Sequence, residues 1–450
     1  MDTSFKIEGD INLTDERKKW QAQNLNSKTI ELIKEDANYY FHQSLSTPCL
    51  NTIEKADGIY IYDGEGRKYM DFHGNSVHQI GYNNQTVMKG LKEQMDTLSF
   101  IPRRYTNEVA VNAAKKLVGL TNHELTRVLF TPSGSQSIGL ALKIMRKATG
   151  KFKTVSLWDS FHGAGLDVIS IGGEKIFRSD IGPLTPGTEH IMPYNSYRCI
   201  FGECQDCGFK CLDYLDYILE REGDVGGIIL EPIRATDVQV PPAAYFKKLK
   251  QICDKYGVLL IFDEIPTAFG RTGEFYVYQN FGIIPDILVI GKGIGAGIIP
   301  ISAVLVREEL NVANDVALGH YTHEKSALGC RAILETIDYI ESNHLIAHVK
   351  NMEVLLIKEF DKLKNKYEFI GDYRIKGLLF AIELVTNRET KEKAVYEAEK
   401  TLYSCLNKGL SFKVSQGNVL TFGPPLIITE IELLESIGII EASLVEVFSQ

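Results

Sequence analysis

Short apolar, β-branched runs recur through the middle of the chain, each leading into a turn and then into residues whose apolar positions fall near helical spacing. The runs at 128–130, 154–157, 227–230, 258–262 and 287–290 are apolar almost throughout rather than alternately. That pattern predicts strands covered on both faces, hence a largely parallel sheet in an α/β domain. The stretches 136–148 and 244–256 carry the amphipathic spacing of crossover helices. Past Ser326 the texture changes to long polar helices at 329–343, 348–367 and 389–408, with a strand at 378–384 between the last two. The N-terminal stretch reads as polar and helical up to Gly58-Ile-Tyr-Ile-Tyr-Asp63-Gly-Glu-Gly-Arg67, a hairpin with a glycine-containing turn. These textures divide the chain into a segment 1–70 that packs with the small domain, a large domain 71–328 and a smaller α+β C-terminal domain 329–450. No internal repeat, low-complexity tract or flexible linker interrupts them.

Composition narrows the class of partner. A chain of 450 residues buries a large core, and 44% hydrophobic with 24% charged residues is ordinary for a globular protein. The net charge is -9 and no dense Lys/Arg block occurs, which argues against nucleic acid or an anionic membrane and for a small molecule. The N-terminus lacks the basic start and apolar run of a signal peptide, and no stretch approaches the roughly 20 apolar residues that span a bilayer. A cytoplasmic protein is expected. Cys199, Cys204, Cys207 and Cys211 lie close together, but their spacing does not make two CxxC zinc knuckles. They read as a cysteine-rich loop before a helix, with a thiolate metal site left as the alternative.

Candidate chemistry gathers at strand ends, where open α/β sheets place their ligands. Leu260-Ile-Phe-Asp263-Glu264 and Asp286-Ile-Leu-Val-Ile-Gly291-Lys292-Gly293 each end an apolar strand in an ionisable residue. A lysine desolvated there attacks carbonyls, and a nearby carboxylate keeps a pyridine nitrogen protonated. A structural ion pair gives the same pattern on these two residues alone. Phe130-Thr-Pro-Ser133-Gly134-Ser135 reads as a strand, a glycine turn and a helix start, whose N–H groups and hydroxyls suit a phosphate. Trp158-Asp-Ser-Phe161-His162-Gly163 offers an aromatic face for a cofactor ring or, equally, a core aromatic.

Taken in order, these motifs resemble the class III (ornithine/GABA-type) aminotransferases over nearly the whole chain. The block from Leu260 through Gly297 carries the resemblance most specifically. It implies the pyridoxal 5′-phosphate (PLP) fold type I, with a mostly parallel sheet of seven-stranded type, and PLP as cofactor. By that resemblance Lys292 is the Schiff-base lysine and proton shuttle, and Asp263 partners the pyridine nitrogen. Gly134 and Ser135 hold the phosphate, Phe161 stacks on the ring with His162 beside it, and Glu231 lies near the substrate. Thr322, in Gly319-His-Tyr-Thr-His-Glu-Lys-Ser326, matches a threonine that reaches the phosphate of the neighbouring subunit, which implies a homodimer with shared active sites.

The chain also departs from that pattern. Thr421 stands where the class usually has an arginine that pairs with a substrate carboxylate, and a hydroxyl does not replace a bidentate guanidinium. Conversely, Glu231-Pro-Ile-Arg234-Ala235 places an arginine where glutamine is usual, and Arg103 and Arg104 add cations in a region that borders the substrate pocket in relatives. The anion site is therefore expected to be relocated to Arg234, helped by Arg103 or Arg104, although each arginine also fits a surface salt bridge. Pro266-Thr267-Ala268, Ser326-Ala327 and the cysteine loop resemble the branch that includes (R)-1-hydroxy-2-aminoethylphosphonate ammonia-lyases. The resemblance thus implies elimination from an amino-hydroxy-phosphonate. Transamination to a keto acid and racemisation or epimerisation remain alternatives, since PLP supports several outcomes. The glycine spacing after Gly291 is not that of a dinucleotide-binding loop.

Overall fold

The computed structural model describes residues 11–202 and 207–449. It comprises two compact units, one formed by Gln85–Ala235 with Gln239–Ile346, the other by the described residues of Met1–Asn84, Thr236–Val238 and Ala347–Gln450.

The first unit is built on a seven-stranded sheet, in the order Arg127–Thr131, Ser302–Val306, Ile287–Ile290, Leu259–Asp263, Val225–Leu230, Lys153–Leu157, Thr188–Ile191. The last five run parallel, and Ser302–Val306 is antiparallel to both of its neighbours. Val225–Leu230, Ile287–Ile290 and Ser302–Val306 are buried at every position, the physical reason their sequences do not alternate. Five strands were legible in the hydrophobic pattern. The edge strand Thr188–Ile191 was not, because it is half-exposed and polar. Neither was Ser302–Val306, although its sequence is apolar.

The helix Gly134–Thr149 begins at Ser133, whose hydroxyl accepts from Gln136 N, and stops at Gly150 in the left-handed region. Its buried face, including Ile138, Leu142 and Met145, packs in one core with Ile229, Ile261, Val289 and Val304 of the sheet. Ala243–Tyr256 ends in the same way at Gly257, with φ 61°. Ser326 caps the helix Ala327–Ser342 by accepting from Gly329 N.

In the other unit, Ile53–Asp57, Tyr60–Asp63 and Lys68–Asp71 form the expected hairpin region, and Asp63 closes its turn by accepting from Glu65 N and Arg67 N. Ile370–Lys376 and Leu379–Asn387 pair around Gly377, and the sheet continues through Val419–Phe422 to Lys413–Ser415. The helix expected from residue 389 starts only at Val395. Asn387 Oδ1 accepts from Glu389 N and Thr390 N, a local turn that outcompetes helix, and Glu392–Lys393 then pairs as a strand. Among the described residues no helix is long and apolar enough to cross a membrane.

Candidate active site

The ends of the parallel strands bring together residues far apart in sequence. Asp263, last in its strand, is 2% exposed. Its carboxylate accepts from His162 Nδ1 at 2.8 Å and from Ile265 N at 3.1 Å. Hydrogen bonds to a buried charge contribute about 1.5–3 kcal/mol each, so this carboxylate is fixed in place. The Asp263 bond sets the imidazole tautomer with the proton on Nδ1. His162 Nε2 is buried with no hydrogen-bond partner in the protein.

Glu231, after the neighbouring strand, is also buried. Its Oε1 accepts from Phe161 N at 3.5 Å and its Oε2 from Ala235 N at 3.1 Å. Burial lifts its pKa above the usual carboxylate range and the Asp263 charge adds to the rise, while His162, the Ala235 N–H and Lys292 oppose it. Glu231, Asp263, His162 and Lys292 therefore share one electrostatic environment. Lys292 follows Gly291 at the end of Ile287–Ile290 and is half-buried. Its φ of 48° is uncommon for a residue with a side chain. A Cβ at Gly291 would sit 2.5 Å from Ser302 Oγ, so a side chain there would force Ser302 to move.

The first turn of Gly134–Thr149 lies against the same strand ends. A Cβ at Gly134 would approach Ile265 Cδ1 to 2.8 Å, and one at Gly163 would approach Ser135 Cβ to 2.8 Å. Ser135 Oγ accepts from Gly165 N at 3.0 Å. The Phe161 ring packs on Phe177, with centroids 4.3 Å apart. Sequence reasoning missed the support beneath this turn, where Thr131 Oγ1 and Ser137 Oγ share a buried hydrogen bond of 2.7 Å. It also gave no role to Glu264, fully buried and accepting from Val277 N and Tyr278 N at 2.6 and 2.8 Å, with its pKa pushed up to about 8 by burial.

The predicted cations differ in setting. Arg234 is 6% exposed, its backbone bridged to Gln239 by reciprocal 3.3 Å bonds, and its Nη1 lies 3.7 Å from Asp159 Oδ2. Gln239 Oε1 in turn accepts from Ser196 N. Arg103 is half-buried and donates to His320, and Arg104 is exposed. Thr322 is exposed, beside Tyr321, whose hydroxyl donates to Gln136 O at 3.3 Å. In the other unit, Thr421 Oγ1 donates to Thr236 O at 2.9 Å. Cys207 and Cys211 are buried and Cys199 half-buried, while Cys204 lies outside the described residues. Among the described residues no three His, Cys, Asp or Glu side chains are grouped to hold a metal.

The family model for class-III aminotransferases matches residues 41–444. An (R)-1-hydroxy-2-aminoethylphosphonate ammonia-lyase of Vibrio splendidus is 48% identical over 99% of this chain and 96% of its own length. A leucine/methionine racemase of Thermococcus litoralis is 35% identical over 87% of this chain and 90% of its own. Among solved structures, a taurine:2-oxoglutarate aminotransferase of Bifidobacterium kashiwanohense, in complex with PLP and glutamate, aligns with a TM-score of 0.87. It is 29% identical, covering 94% of this chain and 98% of that one.

Proposed function

The chain belongs to the class-III aminotransferase family, and on that premise we propose that it is a PLP-dependent ammonia-lyase converting (R)-1-hydroxy-2-aminoethylphosphonate to phosphonoacetaldehyde and ammonia. The observation that carries this reading is the 48% identity to the Vibrio splendidus lyase across almost the whole chain. The residues present fit the cofactor. Gly134 and Gly163, where an added Cβ would collide with Ile265 and Ser135, let the turn close tightly, and the helix start at Gly134 and Ser135 offers N–H groups to a phosphate. The orphaned, buried His162 Nε2 and the fixed Asp263 carboxylate suit a polar ring partner. Lys292 is the attachment point, and Phe161 the ring support.

PLP, when bound, supplies an electron sink that makes the C–H bond beside the substrate amine acidic. Asp263, held by His162 and Ile265 N, would keep a proton on the ring nitrogen of the bound cofactor. Lys292 Nζ takes the proton from the amine-bearing carbon. The neighbouring carbon then loses its hydroxyl, and Glu231, whose burial favours the protonated form, is assigned the proton that the departing oxygen needs. A proton and hydroxide leave as water, and water re-enters as the nitrogen departs as ammonia, so aldehyde and ammonia form without net water. Arg234, assisted by Arg103 or Arg104, binds the phosphonate. Thr421 supports this relocation, because its hydroxyl is engaged by a backbone carbonyl.

The same reading makes the working species a cytoplasmic homodimer, in which the exposed Thr322 reaches the phosphate cradle of a second copy. The test of function is the stoichiometry of the purified holoenzyme supplied with the aminophosphonate and no keto acid. Ammonia and phosphonoacetaldehyde are expected in equal amounts over many turnovers. A reaction that stops after one turnover until a keto acid is added overturns the reading in favour of transamination.

A further inference from the structure

The turn after Lys153–Leu157 carries an acid that this mechanism does not use. Asp159 has φ 60°, a left-handed backbone that Asp and Asn tolerate better than most residues. The turn is pinned from outside. A Cβ on Gly173 would lie 2.2 Å from Leu157 O and 2.7 Å from Asp159 N, and Gly173 N and Glu174 N donate to Ser160 O at 2.9 and 3.1 Å. The carboxylate placed by this turn lies 3.7 Å from Arg234 Nη1, beyond hydrogen-bond distance. The pair is unequal, with the Asp159 side chain 50% exposed and that of Arg234 only 7%. Asp159 also lines a cavity of about 200 Å³ whose wall includes Asn195 and Arg198.

The geometry points to Asp159 as an internal competitor for Arg234, setting the affinity of the anion subsite so that the phosphonate product leaves. A buried guanidinium relieved of a competing carboxylate holds a phosphonate more tightly, and substrate and aldehyde product carry the same group. Such uniform binding slows release without helping the chemistry. A tethered carboxylate at 3.7 Å neutralises Arg234 weakly enough to be displaced by substrate and returns to it as product departs. This inference rests on Arg234 as the phosphonate anchor.

Calorimetric titration of the holoenzyme with methylphosphonate tests it without relying on turnover. Asp159→Asn keeps the shape and suits the left-handed backbone, and is expected to tighten methylphosphonate about two- to fivefold, the range for a half-exposed ion pair. Asp159→Glu, which retains the charge, is expected to stay near wild type. Arg234→Gln should weaken binding at least about tenfold, and adding Asp159→Asn to it should restore nothing. Unchanged or weaker binding in Asp159→Asn, or tightening that persists without Arg234, overturns the competitor role. Unaltered binding in Arg234→Gln overturns the anchor itself, and the competitor role with it.

Discussion

Asp263 and Arg234, each just beyond or at the end of a sheet strand, both hold a buried charge, but they hold it differently. Asp263 and His162 share a 2.8 Å bond, both almost fully buried, and the backbone N–H of Ile265 adds a second. Arg234 faces Asp159 at 3.7 Å, and that acid is half-exposed. A short, doubly bonded, dry contact holds one geometry, whereas a longer pair at the edge of solvent exchanges partners at low cost. The first suits a cofactor that stays, the second a substrate that comes and goes.

The same substitution at the two acids breaks the comparison most sharply. On the proposed role of Asp263 as partner of the ring nitrogen, Asp263→Asn removes the charge that would keep that nitrogen protonated, and turnover is expected to fall by about 10²-fold or more. Cofactor content per subunit, read from absorbance, should fall with it. If Asp263→Asn turns over like wild type, the fixed end is not the catalytic end.

Glu264 sharpens the picture with a smaller, pH-dependent effect on stability. Burial raises its pKa to about 8, above the ordinary carboxylate value it has when unfolded. The folded state therefore binds the proton more tightly. The stability it contributes is fully present below the usual carboxylate range and is lost as pH rises through about 8. Urea denaturation across this window should show that decline. Glu264→Gln should remove the slope and cost about 1–3 kcal/mol, because an amide cannot accept from both Val277 N and Tyr278 N in the same way. Asp159→Asn is the smallest change and the only one expected to improve an affinity.

Legibility in the sequence follows the same division. Lys292, Asp263, Gly134 and Ser135 stand at strand ends and tight turns, which a short window of sequence reveals, and the structure has them at those places. Thr131 with Ser137 and Glu264 with the 277–278 backbone escaped notice because hydroxyl pairing and backbone capture leave no spacing rule. Asp159 sat in a quoted motif, yet its pairing with Arg234 depends on two turns from separate strands. The strand Thr188–Ile191 and the start of the helix Val395–Asn407 were missed where a polar edge and the Asn387 turn overrode the hydrophobic pattern.

An ammonia-lyase returns its bound cofactor unchanged while the substrate is deaminated. The most direct measurement is the holoenzyme's absorption spectrum during many turnovers of (R)-1-hydroxy-2-aminoethylphosphonate without a keto acid, with ammonia followed in the same cuvette. Retention of the lysine-bound PLP band while ammonia accumulates is the predicted result. Conversion to the pyridoxamine phosphate band, with ammonia failing to accumulate, would contradict it.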